Sequence, residues 1–457
     1  MRVPHTYVLL FSLLVLAAAS THFLPAGIYD RIEKEARQVV VPDSYHHVDP
    51  NPAGVEDVFM AFPTGLMEVA HIVFYIFIVG GTFGVIAGTG AIETGIHQII
   101  KHAGKFEKAL VPGLTFLFAL GGGTFGMAEE TLPFLPALVL LSRSLGYDSI
   151  TGGAIALAGA NAGFSAAFLN PFTVGVAQEM AGLPLFSGKA FRSVVWLVMS
   201  LITVVFITRY AQRVKRAPET SPAFDLDQQR PVLAPGAVSS SLSRRQILAL
   251  LLFLLCLIIL VVGTMKWQWG IAELSALFFA LAAIAGPVGG LSLNETAEKF
   301  ISGAAALTGG ALVVGLARAI LVVLTQAQVI DTIMFKLAAL VQELPSTLSV
   351  LGIYVIQVLL NFLIASGSGQ AALSIPIMAP LADLVGVTRQ TMVLAYQFGD
   401  GFTNVFTPTQ GYFMAGLALI GIPWHIWARW LLPLLGLWLA TGLVALLIAH
   451  AIAFGPF

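Results

Sequence analysis

Charge and cysteine are scarce in this chain. Charged residues fill 10% of its 457 positions, whereas a soluble domain carries about a quarter, so there is too little charge to coat a water-facing surface of that size. The one cysteine, Cys256, sits inside an apolar run. That excludes an intramolecular disulfide or a cysteine-built metal cluster and leaves it a small core residue. A formal net charge of −1 and a pI near 6.8 provide no basic excess for a polyanion, so no nucleic-acid partner is expected. Also missing are a Gly-x-Ser-x-Gly elbow, a His-Glu-x-x-His zinc helix and a phosphate-binding loop ending in lysine. Without them neither hydrolytic chemistry nor nucleotide-fuelled work is expected, and no enzyme activity or resident cofactor is predicted.

Apolar residues are present in excess, at 57% with a mean hydropathy of +0.88. The composition predicts an all-α, polytopic membrane protein. A spanning helix needs about 20 mostly apolar residues, which places crossings at 7–25, 68–91, 150–178, 191–209, 246–264, 271–290, 304–328, 390–418 and 427–450. The first of these follows Arg2 and contains Ala17-Ala18-Ala19, a pattern shared with cleaved secretory signals. The repeat described below requires it as a permanent helix. Two stretches, 110–142 and 346–382, are roughly 35 residues long and polar or glycine-rich in the middle, at Gly121-Gly122-Gly123-Thr124-Phe125-Gly126 and Ser366-Gly367-Ser368-Gly369-Gln370. Each reads as a re-entrant helical hairpin whose tip stops inside the membrane.

Lys and Arg in short loops set the orientation. Arg209, Arg213, Lys215 and Arg216 through Arg244 and Arg245 form the strongest positive cluster, so 213–245 is expected to be a flexible cytoplasmic linker. Counting back then places Lys101, Lys105, Lys108 and Arg143 inside, loop 26–57 outside and the N-terminus in the cytoplasm. The first hairpin enters from the cytoplasm and the second from outside.

The two halves repeat each other. Ile92-Glu93-Thr94 recurs as Ile330-Asp331-Thr332, Gly126 and Pro133 as Gly369 and Pro376, and Gly163-Phe164-Ser165 as Gly401-Phe402-Thr403, at offsets of about 238 to 243 residues. The expected organisation is a first inverted repeat at 1–212, the linker 213–245, a connector helix at 246–265 that inverts the second copy, and a second repeat at 266–457.

Inverted repeats with interrupted helices point to a transporter's binding site, because helix ends at membrane depth can replace a hydration shell. The two hairpin tips should meet the breaks in 150–178 (Ala160 to Gly163 through Asn170-Pro171-Phe172-Thr173) and in 390–418 (Gly399 to Asn404 through Thr407-Pro408-Thr409). Proline and glycine weaken the helix at both places. Ionisable residues at this depth are costly and signal function. Glu129 and Glu130 stand alone between Lys108 and Arg143; they suit a cation, a coupling proton or a substrate ammonium group, or else cap the returning helix. Asp400, the sole charge between Arg389 and Arg429, suits cation ligation or proton coupling, with a buried structural carboxylate as the other reading. A coupling Na⁺ would lie near Asp400 and Glu129. Arg318 can grip a carboxylate with two hydrogen bonds, or pair with an acid as a structural bridge.

Asn161, Asn170, Thr173, Ser366, Ser368, Gln370, Thr403, Asn404, Thr407 and Thr409 add neutral ligands, each of which also serves helix packing. Ser366 to Gly369 precede a helix start, which favours a carboxylate. Acids at one tip and free N–H groups at the other suit a zwitterionic or cationic amino acid better than a dianion. His46-His47 read as solvated loop, Glu68 and His71 as a local pair, and Trp267, Trp269, Trp424, Trp427 and Trp430 as interfacial anchors.

Several of these motifs are shared with a known family. Pro4-His5-Thr6-Tyr7, Leu24-Pro25-Ala26-Gly27, Val41-Pro42, Gly126-Met127-Ala128-Glu129-Glu130, Asn170-Pro171-Phe172-Thr173, Ser366 through Ala372 and Gln397 through Asn404 resemble the YfcC-like branch of the DcuC-type C4-dicarboxylate anaerobic carriers, within the ion transporter superfamily. The resemblance covers almost the whole chain. It implies a bacterial inner-membrane carrier with an elevator mechanism, in which hairpins and broken helices slide against a fixed, usually dimeric scaffold. The cargo it implies is a C4-dicarboxylate or, for the YfcC-like branch, a basic amino acid. Thr407-Pro408-Thr409-Gln410-Gly411-Tyr412 departs from the smaller residues expected in relatives, so Gln410 and Tyr412 bear on the cargo. The expectation is a secondary transporter of a small organic ion, coupled to Na⁺, H⁺ or a counter-substrate. An amino acid is the first cargo and a C4-dicarboxylate the alternative. A channel is a second class, and an intramembrane hydrolase using Ser165, which has no evident histidine partner, a third.

Overall fold

Apolar chain at membrane depth must satisfy its own backbone, and helices do so within one segment. The computed structural model of the protein describes residues 6–34, 37–92, 94–95, 98, 107–229, 242–267 and 269–455. Arg2, Pro4, His5, Glu93, Lys101, Lys105 and the middle of the linker, which entered the sequence reading, lie outside them. In chain order the helices are α1 (Thr6–Ser20), α2 (Val55–Glu68), α3 (Ala70–Gly88), α4 (Glu107–Phe125), α5 (Leu135–Ser144), α6 (Ser149–Ser165), α7 (Val176–Met180), α8 (Lys189–Arg216), α9 (Phe224–Gln228) and α10 (Arg244–Trp267). The second half adds α11 (Ile271–Gly289), α12 (Leu293–Ala305), α13 (Thr308–Gln326), α14 (Ile330–Gln342), α15 (Ser346–Leu363), α16 (Gly367–Leu384), α17 (Arg389–Thr403), α18 (Gly411–Ile420) and α19 (Trp424–Ala451). Among the described residues eight helices, α3, α4, α8, α10, α11, α13, α15 and α19, are long and apolar enough to cross a membrane. The chain is thus a nearly all-helical, multi-pass membrane protein.

Two expectations need correction. Helix α1 has 15 residues and rises roughly 22 Å, so it is shorter than the crossing expected at 7–25. The breaks read from the sequence in 150–178 and 390–418 are present, each segment being divided into two helices. Two short helices, α2 and α12, precede the crossings at 70–88 and 308–326. Against expectation, the start of the linker is folded. Asp227 on α9 accepts from the Ser149 backbone N–H at 2.8 Å and from the Ser149 hydroxyl, while Arg143 donates to its carbonyl at 2.8 Å. Asp148 caps α6 through Thr151 N–H at 2.8 Å and also accepts from Ser221 Oγ at 2.6 Å and from Tyr210. Residues 217–228 are therefore a strap tied to α6 and α8.

Small residues set the closest helix contacts, as expected where lipid removes the hydrophobic drive between helices. A Cβ added at Gly163 of α6 would lie 1.9 Å from the Ala119 carbonyl oxygen of α4, and one at Gly122 would lie 2.0 Å from the Ala160 oxygen. A Cβ added at Gly84 of α3 would lie 2.4 Å from the Lys299 carbonyl oxygen of α12.

The packing interlocks the halves. Helix α4 packs on α6, and α15 likewise on α17. Then α18 packs against α5 and the turn preceding it, while α7 packs against α16. Each half's second short helix thus rests on the other half's hairpin. Helices α2, α3, α11, α12 and α13 pack among themselves, and α10 joins them through α11. Outside the bundle, β1 (Gly27–Ile28) pairs with β4 (His46–His47), and β2 (Arg31–Lys34) with β3 (Arg37–Val40), both antiparallel. Strand β3 lies on α16.

Candidate functional site

Four helix interruptions position the polar groups. After α4 the chain turns at Gly126, whose φ of 76° lies in the left-handed region open to glycine. A Cβ there would also come within 2.5 Å of Asn170 Oδ1. A 3₁₀ turn, Glu129–Phe134, follows and leads into α5. Glu130 Oε2 accepts from the Ala128 N–H at 3.0 Å, so this acid takes up a free helix-start donor while remaining half-buried. At the second tip, Ser366 caps α16 by accepting from Gly369 N–H at 3.3 Å, and Tyr396 donates to the Gly367 carbonyl at 2.7 Å.

The broken segments end nearby. Asn170 accepts from Phe172 N–H at 2.8 Å and opens a π-helical turn, Pro171–Gly175, that leads into α7. Between α17 and α18 a buried amide network holds the break. Asn361 of α15 donates to the Asp400 carbonyl at 2.6 Å, Thr403 Oγ1 at 2.7 Å and Asn404 Oδ1 at 2.9 Å. Gln410 donates to Asn404 Oδ1 at 2.6 Å. Across the halves, Gln397 of α17 donates to the carbonyls of Phe164 and Ala167 at 3.2 and 3.1 Å, satisfying the end of α6, and the buried Arg192 donates to Gln397 in turn.

These ends surround a cavity of about 480 Å³. Of the residues singled out from sequence, Glu129, Glu130, Thr173, Arg318, Ser366, Ser368, Asn404 and Thr409 line it. Asn161, Asn170, Gln370, Asp400, Thr403 and Thr407 are buried and do not. Gln370 instead donates to Gln357 Oε1 at 2.8 Å and to its carbonyl at 2.9 Å, joining the two arms of its own hairpin. Thr407 bonds Thr409 at 3.1 Å. Asp400 lies directly behind the second tip, for a Cβ on Gly367, a lining residue, would be 3.0 Å from Asp400 Oδ2 and 2.9 Å from Thr173 Cγ2. Both Asp400 carboxylate oxygens, Thr173 Oγ1, both side-chain polar atoms of Asn161 and Asn170 Nδ2 are buried without a protein hydrogen-bond partner. Buried polar groups are almost always satisfied, so the unpartnered oxygens of Asp400 and Thr173, which meet behind Gly367, point to a ligand or ordered water.

Arg318 forms an ion pair with Glu68 of α2, Nε to Oε2 at 2.6 Å, and both line the cavity with His71. The pairing of Glu68 with His71 expected from their spacing gives way to this one. The lining carries three carboxylates, Glu68, Glu129 and Glu130, against one guanidinium. Sequence reasoning missed Asn361 and Gln357, whose only signal was a polar amide in an apolar helix, and it did not bring Glu68 to the cavity. A second cavity of about 570 Å³, lined by Arg31, Asp331, Ser368 and Gly369, lies under the β-hairpin. Ser368 faces both, so the start of α16 is the wall between them.

Known proteins share this chain along its length. The description "C4-dicarboxylate anaerobic carrier" (DcuC) matches residues 3–451. A protein of Escherichia coli (strain K12) named "Putative basic amino acid antiporter YfcC" is 33% identical over 473 residues, covering 95% of this chain and 94% of that one. An uncharacterized protein of Haemophilus influenzae is 29% identical over 492 residues, covering 97% and 96%. Among solved structures, Neisseria gonorrhoeae MtrF, described as illuminating a class of antimetabolite efflux pumps, superposes with a TM-score of 0.42 at 17% identity over 99% of this chain and 96% of that one. The Alcanivorax borkumensis YdaH transporter gives 0.42 at 19% identity over 99% of each. With a family match over nearly every residue and a relative one-third identical end to end, this multi-pass membrane protein belongs to the DcuC family of C4-dicarboxylate anaerobic carriers, a family of membrane transporters.

Proposed function

We propose that the protein is a secondary active carrier of the bacterial inner membrane that binds a basic amino acid in the 480 Å³ cavity. The observation that carries this reading is the charge of the lining. Three carboxylates face one guanidinium, and that guanidinium is already paired with Glu68. The surplus is negative and sits where two helix breaks meet, so a cationic side chain and an ammonium group fit Glu129 and Glu130. The α-carboxylate fits the Ser366-capped start of α16, where free N–H groups and the helix dipole favour an anion. The name of the Escherichia coli relative points to the same cargo.

Coupling is assigned to the buried cluster behind the tip. Asp400 and Thr173, both beside Gly367, offer unpartnered oxygens, the donor type a hard monovalent cation such as Na⁺ takes. Among the described residues no group of three His, Cys, Asp or Glu side chains could hold a metal ion, so a single carboxylate with neutral oxygens is matched to a monovalent ion or a proton. Movement in this reading is an elevator. The hairpins, the broken helices, α8 and α19 travel as one body against a scaffold of α2, α3 and α10 to α13, with the scaffold dimeric and the N-terminus cytoplasmic. In this organisation both hairpins are re-entrant.

A C4-dicarboxylate is the second reading, favoured by the family description, by Arg318 and by the α16 start. Proteoliposomes preloaded with arginine decide between them. Saturable uptake of labelled lysine or arginine is expected, with Glu129→Gln, Glu130→Gln and Asp400→Asn each lowering it at least about tenfold, the scale of one lost charge-assisted contact. Exchange of succinate alone would establish the dicarboxylate. Flux that never saturates and cannot concentrate cargo would make the protein a channel. Unchanged uptake in all three variants would remove the site.

A further inference from the structure

Helices α8 and α19 run antiparallel, and where the end of one meets the start of the other they are joined by rings. Phe206 and Tyr210 pack on Trp430 with centroids 5.7 and 5.3 Å apart. Beside this contact opens a cleft of about 750 Å³. Arg209 and Arg213 from α8 and Arg429 from α19 line it together with Val205, Ile202 and Leu437, and no acidic residue does.

The charge there is unanswered. Other arginines of this chain engage carboxylates, Arg31 with Asp331 at 2.7 Å, Arg389 with Asp383 at 2.7 Å and Arg318 with Glu68 at 2.6 Å. Among the described residues Arg209, Arg213 and Arg429 have no such partner within ion-pair distance, and all three are exposed. Arg213 lies over the Tyr210 ring at 5.6 Å, which draws it toward the cleft. Below the guanidiniums the walls are apolar and face outward, with Val205 and Leu437 45% and 46% exposed. Both belong to helices long enough to cross the membrane.

We propose that this cleft binds one anionic phospholipid, its phosphate held by Arg209, Arg213 and Arg429 and an acyl chain lying along Ile202, Val205 and Leu437. Guanidinium forks match phosphate oxygens geometrically, and basic pockets between spanning helices are suited to anionic headgroups. A free phosphate ion would satisfy the arginines and leave the apolar wall uncovered. A lipid covers both. The bound lipid clamps α8 to α19 beside the ring contacts and the hydrogen bond from Trp438 Nε1 to Thr203 Oγ1 at 2.9 Å that already join them. This inference does not depend on which cargo the central cavity takes.

The test uses the full-length protein purified in detergent and stripped of lipid, with native mass spectrometry counting bound phosphatidylglycerol or phosphatidylcholine. One phosphatidylglycerol retained per chain is expected, and phosphatidylcholine should be lost. Replacing each arginine by glutamine should lower phosphatidylglycerol affinity roughly fivefold, and all three together on the order of a hundredfold, with binding weakening as salt rises. Arg244→Gln with Arg245→Gln, outside the cleft, should change nothing. A photoreactive phosphatidylglycerol added to wild-type protein should label residues 202–213 and 429–437, a readout independent of how the variants fold. Equal retention of the two lipids, labelling elsewhere, undiminished binding by the triple variant, or full competition by inorganic phosphate would each overturn the proposal.

Discussion

Single residues here often serve two chemical demands at once, and Asp148 shows how large the sum becomes. One carboxylate caps α6 and also accepts from the hydroxyls of Ser221 and Tyr210. Loss of an N-cap costs about 1 kcal/mol, and a buried hydroxyl left without an acceptor costs about 1–3 kcal/mol. Asp148→Ala should therefore destabilise the protein by about 3 kcal/mol or more, read as a lower midpoint in thermal unfolding of the detergent-solubilised protein. Asp148→Asn keeps an acceptor for the cap and should lose less. At this scale the sequence was informative about charge and silent about partners. Asp400 stood out because it is isolated in an apolar stretch, and the structure finds its oxygens unpartnered beneath Gly367. Arg318 stood out in the same way, yet its partner Glu68 lies 250 residues away in sequence, a separation that spacing rules do not bridge. Gln370 was misjudged because a polar residue at a helix start looks the same whether it faces a cavity or, as here, Gln357.

Helices are interrupted where glycine, proline and serine gather, and that much was readable. The turn at Gly126 and the capped start of α16 fall inside the two polar mid-segments, because a left-handed φ and an N-cap need those residue types. Short amphipathic helices were not readable in the same way, since windows long enough for a membrane span average them away. Helix α12 did carry a signal: Ser292 and Glu295 form a reciprocal capping box at 3.2 and 2.7 Å, a pattern legible as Ser-x-x-Glu. Packing of α4 on α6 yields a sharper expectation. Gly113 and Gly163 are both helical glycines, and intrinsic propensity favours alanine at either by roughly 0.5–1 kcal/mol. A Cβ on Gly113 meets nothing within 4 Å, while one on Gly163 meets backbone at 1.9 Å. Gly113→Ala should leave the thermal midpoint unchanged or slightly raised. Gly163→Ala should lower it, because α4 backbone cannot yield as a side-chain tip can. Equal effects in the two variants would show that α4 and α6 do not meet backbone to backbone at Gly163.

Over the whole molecule, the halves exchange contacts instead of standing side by side. Helix α18 of the second half rests on the first hairpin and α7 of the first half on the second, so a body assembled from both can move only as a unit. That crossing was hidden in the sequence: a constant offset between two stretches says they are alike and nothing about which packs on which. The elevator reading puts a sliding boundary between α13 and α18, helices that pack on one another and belong to different bodies. A Cβ built on Gly310 of α13 lies 2.0 Å from Ala418 Cβ of α18, so a cysteine pair there closes a disulfide once the helices part to the ordinary Cβ separation of about 3.8 Å. In a Cys256→Ala background, oxidising Gly310→Cys/Ala418→Cys in proteoliposomes should stop exchange, and reduction should restore it. The pair Thr115→Cys/Gly159→Cys joins α4 to α6 within one body, where a Gly159 Cβ would sit 3.3 Å from Thr115 Cγ2, and its oxidation should leave exchange intact. Full exchange through an oxidised 310–418 pair would mean that α18 does not slide past α13. Binding in the central cavity would then have to be released by local opening of the hairpin tips, with Ser368 and its neighbours between the two cavities as the moving part.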